Sequence, residues 1–433
     1  MAVAEIDAIV LADDPLSREV IAGLSARERA VRVARRVGAA RVFVIERDRS
    51  ELATWRGERT GPLLVIRADQ VVHPPLVEPL VSALPLPADG VAIAVGPDNA
   101  YAGSYIATGS AARHAVAAIA KGENNAAFAG AADAARIPHG EIARHAIATP
   151  AERKAAERLL LRILIKPQDN MITRYVYRPV SLPMTKVLVR TPVTPNQISI
   201  FIAVLVAIGC WMSARASFTW VIAGTALIQV SQYFDCCDGE IARLKLMSSR
   251  FGAWIDTIVD ELSTIGYVAA LGVHCHLHYG GPGLDLWLAL AALGVFSISW
   301  SVYCIYYNII VAVGSQNSQD YADKFEVVPG AAPNTVRLRP VAAKIFAPTK
   351  PLHPVLASLV AFAPNIVRRD FITWAALGLA VLHLTRVSLV LQVAGGLGAA
   401  FNVTIDHVRL RRLRRSIVAS GQILEPALPS RPR

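Results

Sequence analysis

Hydrophobic and polar positions follow two different patterns along the 433-residue chain, and the pattern changes near residue 170. In residues 1–150, short apolar runs alternate with stretches of helical periodicity. Such alternation predicts an α/β domain with a mostly parallel, Rossmann-like sheet. The predicted strands are 6–12, 40–46, 61–69 and 90–96, and a helix is predicted at 25–39.

The later part of the chain consists of long apolar runs with few charges. Most of the runs are near the roughly 20 residues that a helix needs to cross a bilayer. The fifth is short and needs its flanks, whereas the fourth is long enough to tilt. The runs cover roughly 196–214, 218–236, 252–273, 285–313, 371–385 and 388–407. They predict an all-α bundle of six transmembrane helices.

The segment between the two parts is expected to be helical. Thr149 suits an N-cap and Pro150 the first helical position, so a helix should leave the first domain over 149–167. Residues 171–197 mix arginines and lysine with apolar residues, as an amphipathic membrane-surface segment does. The predicted organisation is a cytosolic α/β domain, a juxtamembrane segment, a six-span domain and a basic cytosolic tail, at 1–165, 166–195, 196–410 and 411–433.

Charge places both chain ends on the cytosolic side of the cell inner membrane. Lys and Arg concentrate in the links between spans 2 and 3 and spans 4 and 5 and in the run RLRRLRR at 409–415, whereas the opposite links carry Arg215, Arg386 and little else. This is the positive-inside pattern, and the start of the chain does not resemble a signal peptide. The net charge of +11 is therefore assigned to membrane lipid and phosphate groups rather than nucleic acid.

Four aspartates interrupt the second and third predicted spans. Each ionisable residue inside a span costs about 2.5–3.5 kcal/mol on insertion scales, so a divalent cation is the expected compensation. Asp235 and Asp238 are three positions apart, and Asp256 and Asp260 are four apart. On helices each pair shares a face. Four converging carboxylates predict a site for Mg²⁺ or Mn²⁺.

Neighbouring residues add the features of a phosphate site. Gly239 and Gly252 allow close approach of a helix or ligand, and Arg243 supplies a fixed cation for a phosphate. Two metal ions beside an arginine suit phosphoryl transfer, because the ions neutralise the phosphate charge. A remaining carboxylate can accept the proton of an attacking hydroxyl.

The whole pattern resembles the signature of the CDP-alcohol phosphotransferases. It reads Asp235-x2-Asp238-Gly239-x2-Ala242-Arg243-x8-Gly252-x3-Asp256-x3-Asp260, and the resemblance extends over about 170–410. It implies that an acceptor hydroxyl attacks a CDP-alcohol and releases CMP, and that the protein is a homodimer, as the family is.

The resemblance also implies residue roles. Asp235, Asp238 and Asp256 would be metal ligands, and Asp260 would be the general base and a ligand as well. The CDP pocket would be shaped by Asp235, Gly239, Ala242, Arg243 and Gly252, with Pro195 and Asn196 of the Thr194-Pro195-Asn196 sequence near the nucleotide.

Other interpretations of the aspartates stay open. They could form a buried network that serves only packing, or a noncatalytic site for binding or transporting a divalent metal. Within the enzyme class, the donor could be CDP-diacylglycerol, with a different head-group alcohol as acceptor, or a soluble CDP-polyol.

Residues 1–165 resemble, more weakly, the sugar-phosphate nucleotidyltransferases. The combination is similar to fusions that make CDP-inositol and condense it with inositol phosphate, so the predicted acceptor is inositol phosphate or a similar polyol phosphate. Asp69 follows a strand as an acidic metal ligand does in that family. However, Asp13 and Asp14 replace the phosphate-cradling loop, and Ala146 and Ala148 stand where acids are expected. We therefore predict a degenerate domain, with a rearranged site at Asp13, Asp14 and Asp69 as the alternative.

Two further groups remain as candidates. The arginines Arg174, Arg178, Arg368 and Arg369 could bind the acceptor phosphate, although membrane anchoring explains them equally. His274, His276 and His278 form an H-x-H-x-H pattern that would suit a metal on a strand, and solvated loop histidines are the favoured interpretation.

Overall fold

The computed structural model describes residues 5–123, 134–165, 169, 171–280, 285–314, 320–330, 332–341 and 369–425. The chain divides into two compact units. The first contains residues 1–167, 182–192 and 240–247, and the second contains 168–181, 193–239 and 248–433.

A six-stranded sheet forms the centre of the first unit, with the order β4-β1-β5-β8-β7-β9. A two-stranded sheet pairs β6 with β10, and β2 pairs with β3 in a short hairpin. The ten strands are β1 Ile6–Leu11, β2 Val20–Ile21, β3 Leu24–Ser25, β4 Ala39–Ile45, β5 Leu63–Arg67, β6 Gln70–Val72, β7 Val91–Val95, β8 Tyr101–Ala107, β9 Ala135–Pro138 and β10 Arg144–Ala146.

The sheet is mixed: five of its strands run in one direction, as the predicted mostly parallel sheet requires, and β8 runs against them. β1 pairs in parallel with β4 and β5, and β7 with β9, but β8 runs antiparallel to both of its neighbours. The sequence prediction missed β8. Only residues 96–100 connect β7 to β8, which is too short for the crossover that a parallel pair requires. The returning strand must therefore be antiparallel.

Helices cover the sheet of the first unit, and their ends follow the capping signals in the sequence. Ser25 and Thr149 each form a capping box with the glutamate three positions later, which satisfies N–H groups that the helix start leaves free. The predicted helix start at Thr149-Pro150 is thus confirmed. The helices are α1 Ala26–Arg36, α2 Leu52–Arg56, α3 Glu78–Ser82, α4 Gly109–Lys121 and α5 Pro150–Arg162.

The described residues that follow α5 are largely helical. A π-helix at Thr173–Tyr177 leads into the next helix, and a small sheet joins β11, β12 and β13. The helices are α6 Arg178–Leu188, α7 Pro195–Ser213, α8 Phe218–Leu244, α9 Arg250–Tyr279, α10 Leu286–Asn308, α11 Arg369–Val381 and α12 Thr385–Ala419. The strands are β11 Phe325–Pro329, β12 Thr335–Pro340 and β13 Ile423–Leu424.

Within the described residues, three helices are long and apolar enough to cross a membrane: 195–213, 286–313 and 385–419. The predicted second, third and fifth spans coincide with α8, α9 and α11, so a six-span bundle is not confirmed. α8 and α9 carry the four aspartates, and α8 also carries Gln229 and Gln232. α11 has only 13 residues, fewer than a crossing requires.

Packing in the second unit has the character of a membrane protein. Large apolar side chains project outward, with Phe296 and Phe401 both 68% exposed. Small residues allow α7 and α8 to approach closely, because a Cβ on Gly224 would lie 2.5 Å from the carbonyl oxygen of Gly209. Packing through small residues is typical of helices in lipid.

Candidate metal and phosphate site

Two helices carry the signature. α8 contains Asp235 and Asp238 shortly before its end. α9 begins after Ser249, whose Oγ accepts from the backbone N–H of Gly252 over 2.9 Å and caps the helix. The cap places Asp256 and Asp260 in the first three turns of α9, as the i, i+4 spacing predicted.

Three of the four aspartates converge. Asp235, Asp256 and Asp260 each offer a carboxylate oxygen, and these oxygens all lie within 4.8 Å of one another. The three side chains are half-buried. Such a set of oxygens suits a hard divalent cation, which would offset the repulsion between the carboxylates. The donor chemistry therefore fits Mg²⁺ or Mn²⁺, and it does not distinguish the two ions.

The fourth aspartate, Asp238, has a different partner from the one predicted. It is 5% exposed, and its Oδ2 accepts a hydrogen bond from Ser199 Oγ of α7 over 2.8 Å. Among the described residues, Asp238 is not part of the three-carboxylate group. Its role as a metal ligand stays a prediction.

Arg369, at the start of α11, contacts the carboxylate group directly. Its guanidinium pairs with Asp260, and Nη2 donates to Ser263 Oγ over 2.8 Å. Ser263 also donates to the backbone carbonyl of Asp260 over 2.7 Å. The structure thus places Arg369 beside the predicted general base.

The predicted nucleotide residues of α7 and α9 lie next to each other. A Cβ on Gly252 would lie 2.9 Å from Asn196 Oδ1, so a glycine is required for this approach. Thr194 and Gln197 form a capping box that fixes the start of α7 at Pro195. Gly239, Ala242 and Arg243 occupy the end of α8, and their contact with a nucleotide stays a prediction.

The remaining candidate arginines differ in their surroundings. Arg178 is buried and forms a two-pronged ion pair with Asp169, with Nε–Oδ2 at 2.9 Å and Nη2–Oδ1 at 3.2 Å. Arg174 is exposed in the π-helix. Arg368 lies outside the described residues. Of the candidate arginines that the structure describes, Arg369 is the one brought against the aspartates.

Comparison with known proteins agrees with this geometry. Residues 192–385 match the profile of the CDP-alcohol phosphatidyltransferase family. The matched segment includes α8 and α9, the two helices that carry the four aspartates. The carboxylate group and Arg369 both lie within the matched residues.

Curated relatives share part of the chain. A protein of Aquifex aeolicus named "Bifunctional IPC transferase and DIPP synthase" is 30% identical over 173 residues, which is 39% of this chain and 38% of the relative. A protein of the same name from Thermococcus kodakarensis is 31% identical over 157 residues, 35% of this chain and 34% of the relative. The chain thus aligns with well under half the length of these relatives.

Several contacts around the carboxylate group were not predicted. Ser199 and Ser263 have no marked signal in the sequence, because isolated serines are common in apolar helices. Thr173 of the π-helix donates to Asp370 over 3.3 Å. The pairing of Tyr177 with Gln229, at 2.7 Å, could have been suspected from an amide inside an apolar run.

The three histidines contradict their predicted loop position. They lie in the last turns of α9, where His274 is fully buried. His274 Nδ1 contacts the carbonyl of Arg215, and Nε2 contacts Thr385 Oγ1. His278 stacks near His274, with centroids 5.6 Å apart, whereas His276 pairs with Asp285. Helical geometry, which separates alternate residues around the axis, therefore keeps the three imidazoles from one shared side.

The acids of the first unit are engaged in local contacts. Asp13 pairs with Arg49 and Asp69 with Arg67. Asp14 caps a short 3₁₀-helix, Pro15–Arg18, through the backbone N–H of Leu16 over 2.8 Å. Ala146 ends β10, which pairs with β6. These contacts give the acids structural roles in the loops that follow β1 and β5.

Proposed function

We propose that this protein is a membrane-embedded CDP-alcohol phosphotransferase. It moves a phosphoalcohol group from a CDP-alcohol to an acceptor hydroxyl and releases CMP. The convergence of Asp235, Asp256 and Asp260 with Arg369 beside them carries the proposal, together with the family match over 192–385.

The residues divide the chemistry between them. Asp235, Asp256 and Asp260, with Asp238 behind them, would hold two Mg²⁺ or Mn²⁺ ions, and these supply charge neutralisation at the diphosphate when bound. Asp260 accepts the proton of the attacking hydroxyl. Gly239, Ala242, Arg243, Gly252, Pro195 and Asn196 bind the CDP group.

The acceptor is proposed to be inositol phosphate or a similar polyol phosphate. Arg369 is the best-placed group for the acceptor phosphate, because it lies beside the proposed base and is half-buried. An acceptor phosphate would draw the guanidinium from Asp260 and free that carboxylate to take the proton. The names of the relatives, which pair a transferase with a synthase, agree with a substrate of this kind.

The membrane arrangement is part of the proposal. Six helices cross the inner membrane, both chain ends face the cytosol, and the enzyme is a homodimer. The three long apolar helices and the positive-inside distribution of Lys and Arg support the first two points.

The first unit is proposed to have lost nucleotidyl transfer. Asp13 and Asp69 are each neutralised by a neighbouring arginine, and alanines stand at 146 and 148. Turnover of CTP with a sugar or polyol phosphate by the purified chain would contradict this part.

CMP release from a panel of CDP-alcohols tests the main proposal. CDP-inositol and CDP-diacylglycerol are offered with inositol phosphate, glycerol phosphate, serine and inositol, and products are identified by mass. The wild-type chain should release CMP with at least one pair, and Asp260→Asn should not. Tight Mg²⁺ binding without CMP release from any pair would favour a noncatalytic metal-binding role.

A further inference from the structure

Two buried glutamines stand in the middle of α8, close to the proposed site. Gln229 is 4% exposed and Gln232 is 3% exposed. Gln232 precedes Asp235 by three positions, and Gln229 precedes Gln232 by three, so each is a neighbour of the next on the helix surface. Along the helix axis, Gln232 and Gln229 therefore lie roughly 4.5 and 9 Å from Asp235, at 1.5 Å per residue.

Each glutamine has one amide atom without a protein partner among the described residues. Gln229 Nε2 donates to Tyr177 at 2.7 Å, but its Oε1 accepts no hydrogen bond. Gln232 Nε2 donates none. A buried amide atom left unpaired costs about 1–3 kcal/mol, and an apolar helix offers no compensation.

Two buried hydroxyl groups of α8 that lie near the glutamines are satisfied. Thr225 Oγ1 lies 2.8 Å from the carbonyl of Val221 and 3.0 Å from Tyr267 Oη. Ser231 Oγ donates to the carbonyl of Ile228 over 2.7 Å. Between Phe218 and Asp235, the described residues leave unpaired buried side-chain atoms on the two glutamines alone.

A chain of polar contacts connects Gln229 with the carboxylate group. Gln229 bonds Tyr177, and Tyr177 shares a side-chain hydrogen bond with Thr373 of α11. Thr373 donates to the backbone carbonyl of Asp370 over 3.0 Å, next to Arg369, which pairs with Asp260. Gln229 and the proposed base therefore belong to one polar region of the second unit.

We propose that Gln229 and Gln232 bind ring hydroxyl groups of the acceptor polyol and select for them. One unpaired oxygen and one unpaired N–H together can accept from one hydroxyl and donate to another. The inference rests on the proposed function, since it names the substrate groups that lie beyond the reacting hydroxyl. It makes the two glutamines specificity-determining residues, separate from the aspartates.

The test compares inositol phosphate with analogues that each lack one ring hydroxyl, with CDP-inositol as donor, in detergent micelles. A site that hydrogen-bonds a hydroxyl rejects the analogue lacking it. The wild-type kcat/KM should fall roughly 10- to 100-fold for at least one analogue. Gln232→Leu should lose activity on the complete acceptor. In this variant, kcat/KM for the complete acceptor and for that analogue should differ by no more than about threefold.

Thr225→Val is the matched control, because it removes a buried but satisfied hydroxyl from the same helix. It should keep the wild-type ratios for all analogues. A purely structural role for Gln232 would lower kcat on every acceptor by one factor and leave the ratios unchanged, and that result would overturn the inference. Altered selectivity among CDP-alcohol analogues, with acceptor ratios unchanged, would also overturn it. Absence of CMP release by the wild-type chain would instead contradict the proposed function itself.

Discussion

Arg369 forms an ion pair with Asp260, and the same guanidinium donates to Ser263 Oγ over 2.8 Å. One cation thus stands against a group of three carboxylates. The ion pair has two opposite effects on the carboxylate group. It offsets repulsion among the aspartates, and it competes with a divalent ion for Asp260.

Replacement of Arg369 should therefore separate metal affinity from turnover. In Arg369→Ala, the affinity for Mn²⁺ without substrate should rise, roughly 3- to 30-fold, because a competing positive charge a few ångströms away is removed. The KM for inositol phosphate should rise as well, since the proposed phosphate ligand is lost. Titration with Mn²⁺ and steady-state CMP release measure the two effects.

Arg409→Ala is the control for this experiment. Arg409 is exposed and pairs with Asp406 on α12, so its loss should change neither quantity appreciably. Weaker Mn²⁺ binding in Arg369→Ala would show that the arginine positions the carboxylates rather than competing for them.

Neutralising one aspartate should stabilise the protein when no metal is added. Asp256→Asn removes one of three mutually repelling, half-buried carboxylates, so Tm in EDTA should increase by roughly 1–2 °C, as about 1 kcal/mol produces in a chain of this size. The same variant should lose most of the Tm increase that Mn²⁺ causes in the wild type. Thermal unfolding in detergent, with and without Mn²⁺, measures both. An unchanged metal-induced increase would exclude Asp256 as a ligand.

Gly252→Ala tests the close approach of α7 and α9. The added Cβ would lie 2.9 Å from Asn196 Oδ1, and the end of that side chain can rotate away at little cost. The variant should therefore keep its stability within about 0.5 kcal/mol but bind the CDP-alcohol more weakly. The KM for the CDP-alcohol donor should therefore rise, and Asn196→Ala should raise it as well.

Gly398→Ala provides the matched control, because a Cβ at this helical position meets nothing within 4 Å. Its KM should stay at the wild-type value, and its stability should increase by up to about 1 kcal/mol through helix propensity. Equal effects of the two alanine substitutions on donor KM would contradict the predicted nucleotide contact.

Much of this organisation follows from local sequence signals, and the exceptions have physical causes. Capping residues such as Thr149 and Ser25 correctly mark helix starts, because a cap is a local interaction. The spacing of Asp256 and Asp260 likewise predicts their shared helix face. β8 escaped prediction because Gly103 interrupts its short apolar run, and glycine weakens the pattern of a strand.

The site also combines contacts that local sequence predicts with contacts that depend on the fold. The pairing of Arg369 with Asp260 joins residues 109 positions apart, which no local pattern encodes. Asp238 was grouped with the other aspartates by spacing, whereas the packing of α7 gives it Ser199 as a partner. His274 was assigned to a loop because the apolar run weakens near it, although the helix continues to Tyr279.

The first unit should lose stability as the pH falls. Burial, with Arg29 and Arg36 nearby, lowers the pKa of His73 to about 3, whereas the unfolded chain protonates near 6.5. The unfolded state thus binds one more proton between pH 6.5 and 3. His73 should reduce the free energy of unfolding by roughly 1.4 kcal/mol per pH unit over this window.

Hydrogen exchange of the peptide containing β6, in the full chain, measures this effect at pH 7 and pH 5. Protection should fall at the lower pH in the wild type and fall less in His73→Gln. His114→Gln, at an exposed position of α4, should behave as the wild type. Equal loss of protection in all three proteins would show that His73 is not the group responsible.

The central claim is that the carboxylate group binds divalent ions in order to split a CDP-alcohol. Its most direct test is Mn²⁺-dependent CMP release from CDP-inositol and inositol phosphate, by the wild type and by Asp260→Asn. The account predicts release that rises with Mn²⁺, is abolished by EDTA and falls by at least about 100-fold in the variant, as loss of a general base does. Release that is independent of Mn²⁺, or equal in the two proteins, would contradict it.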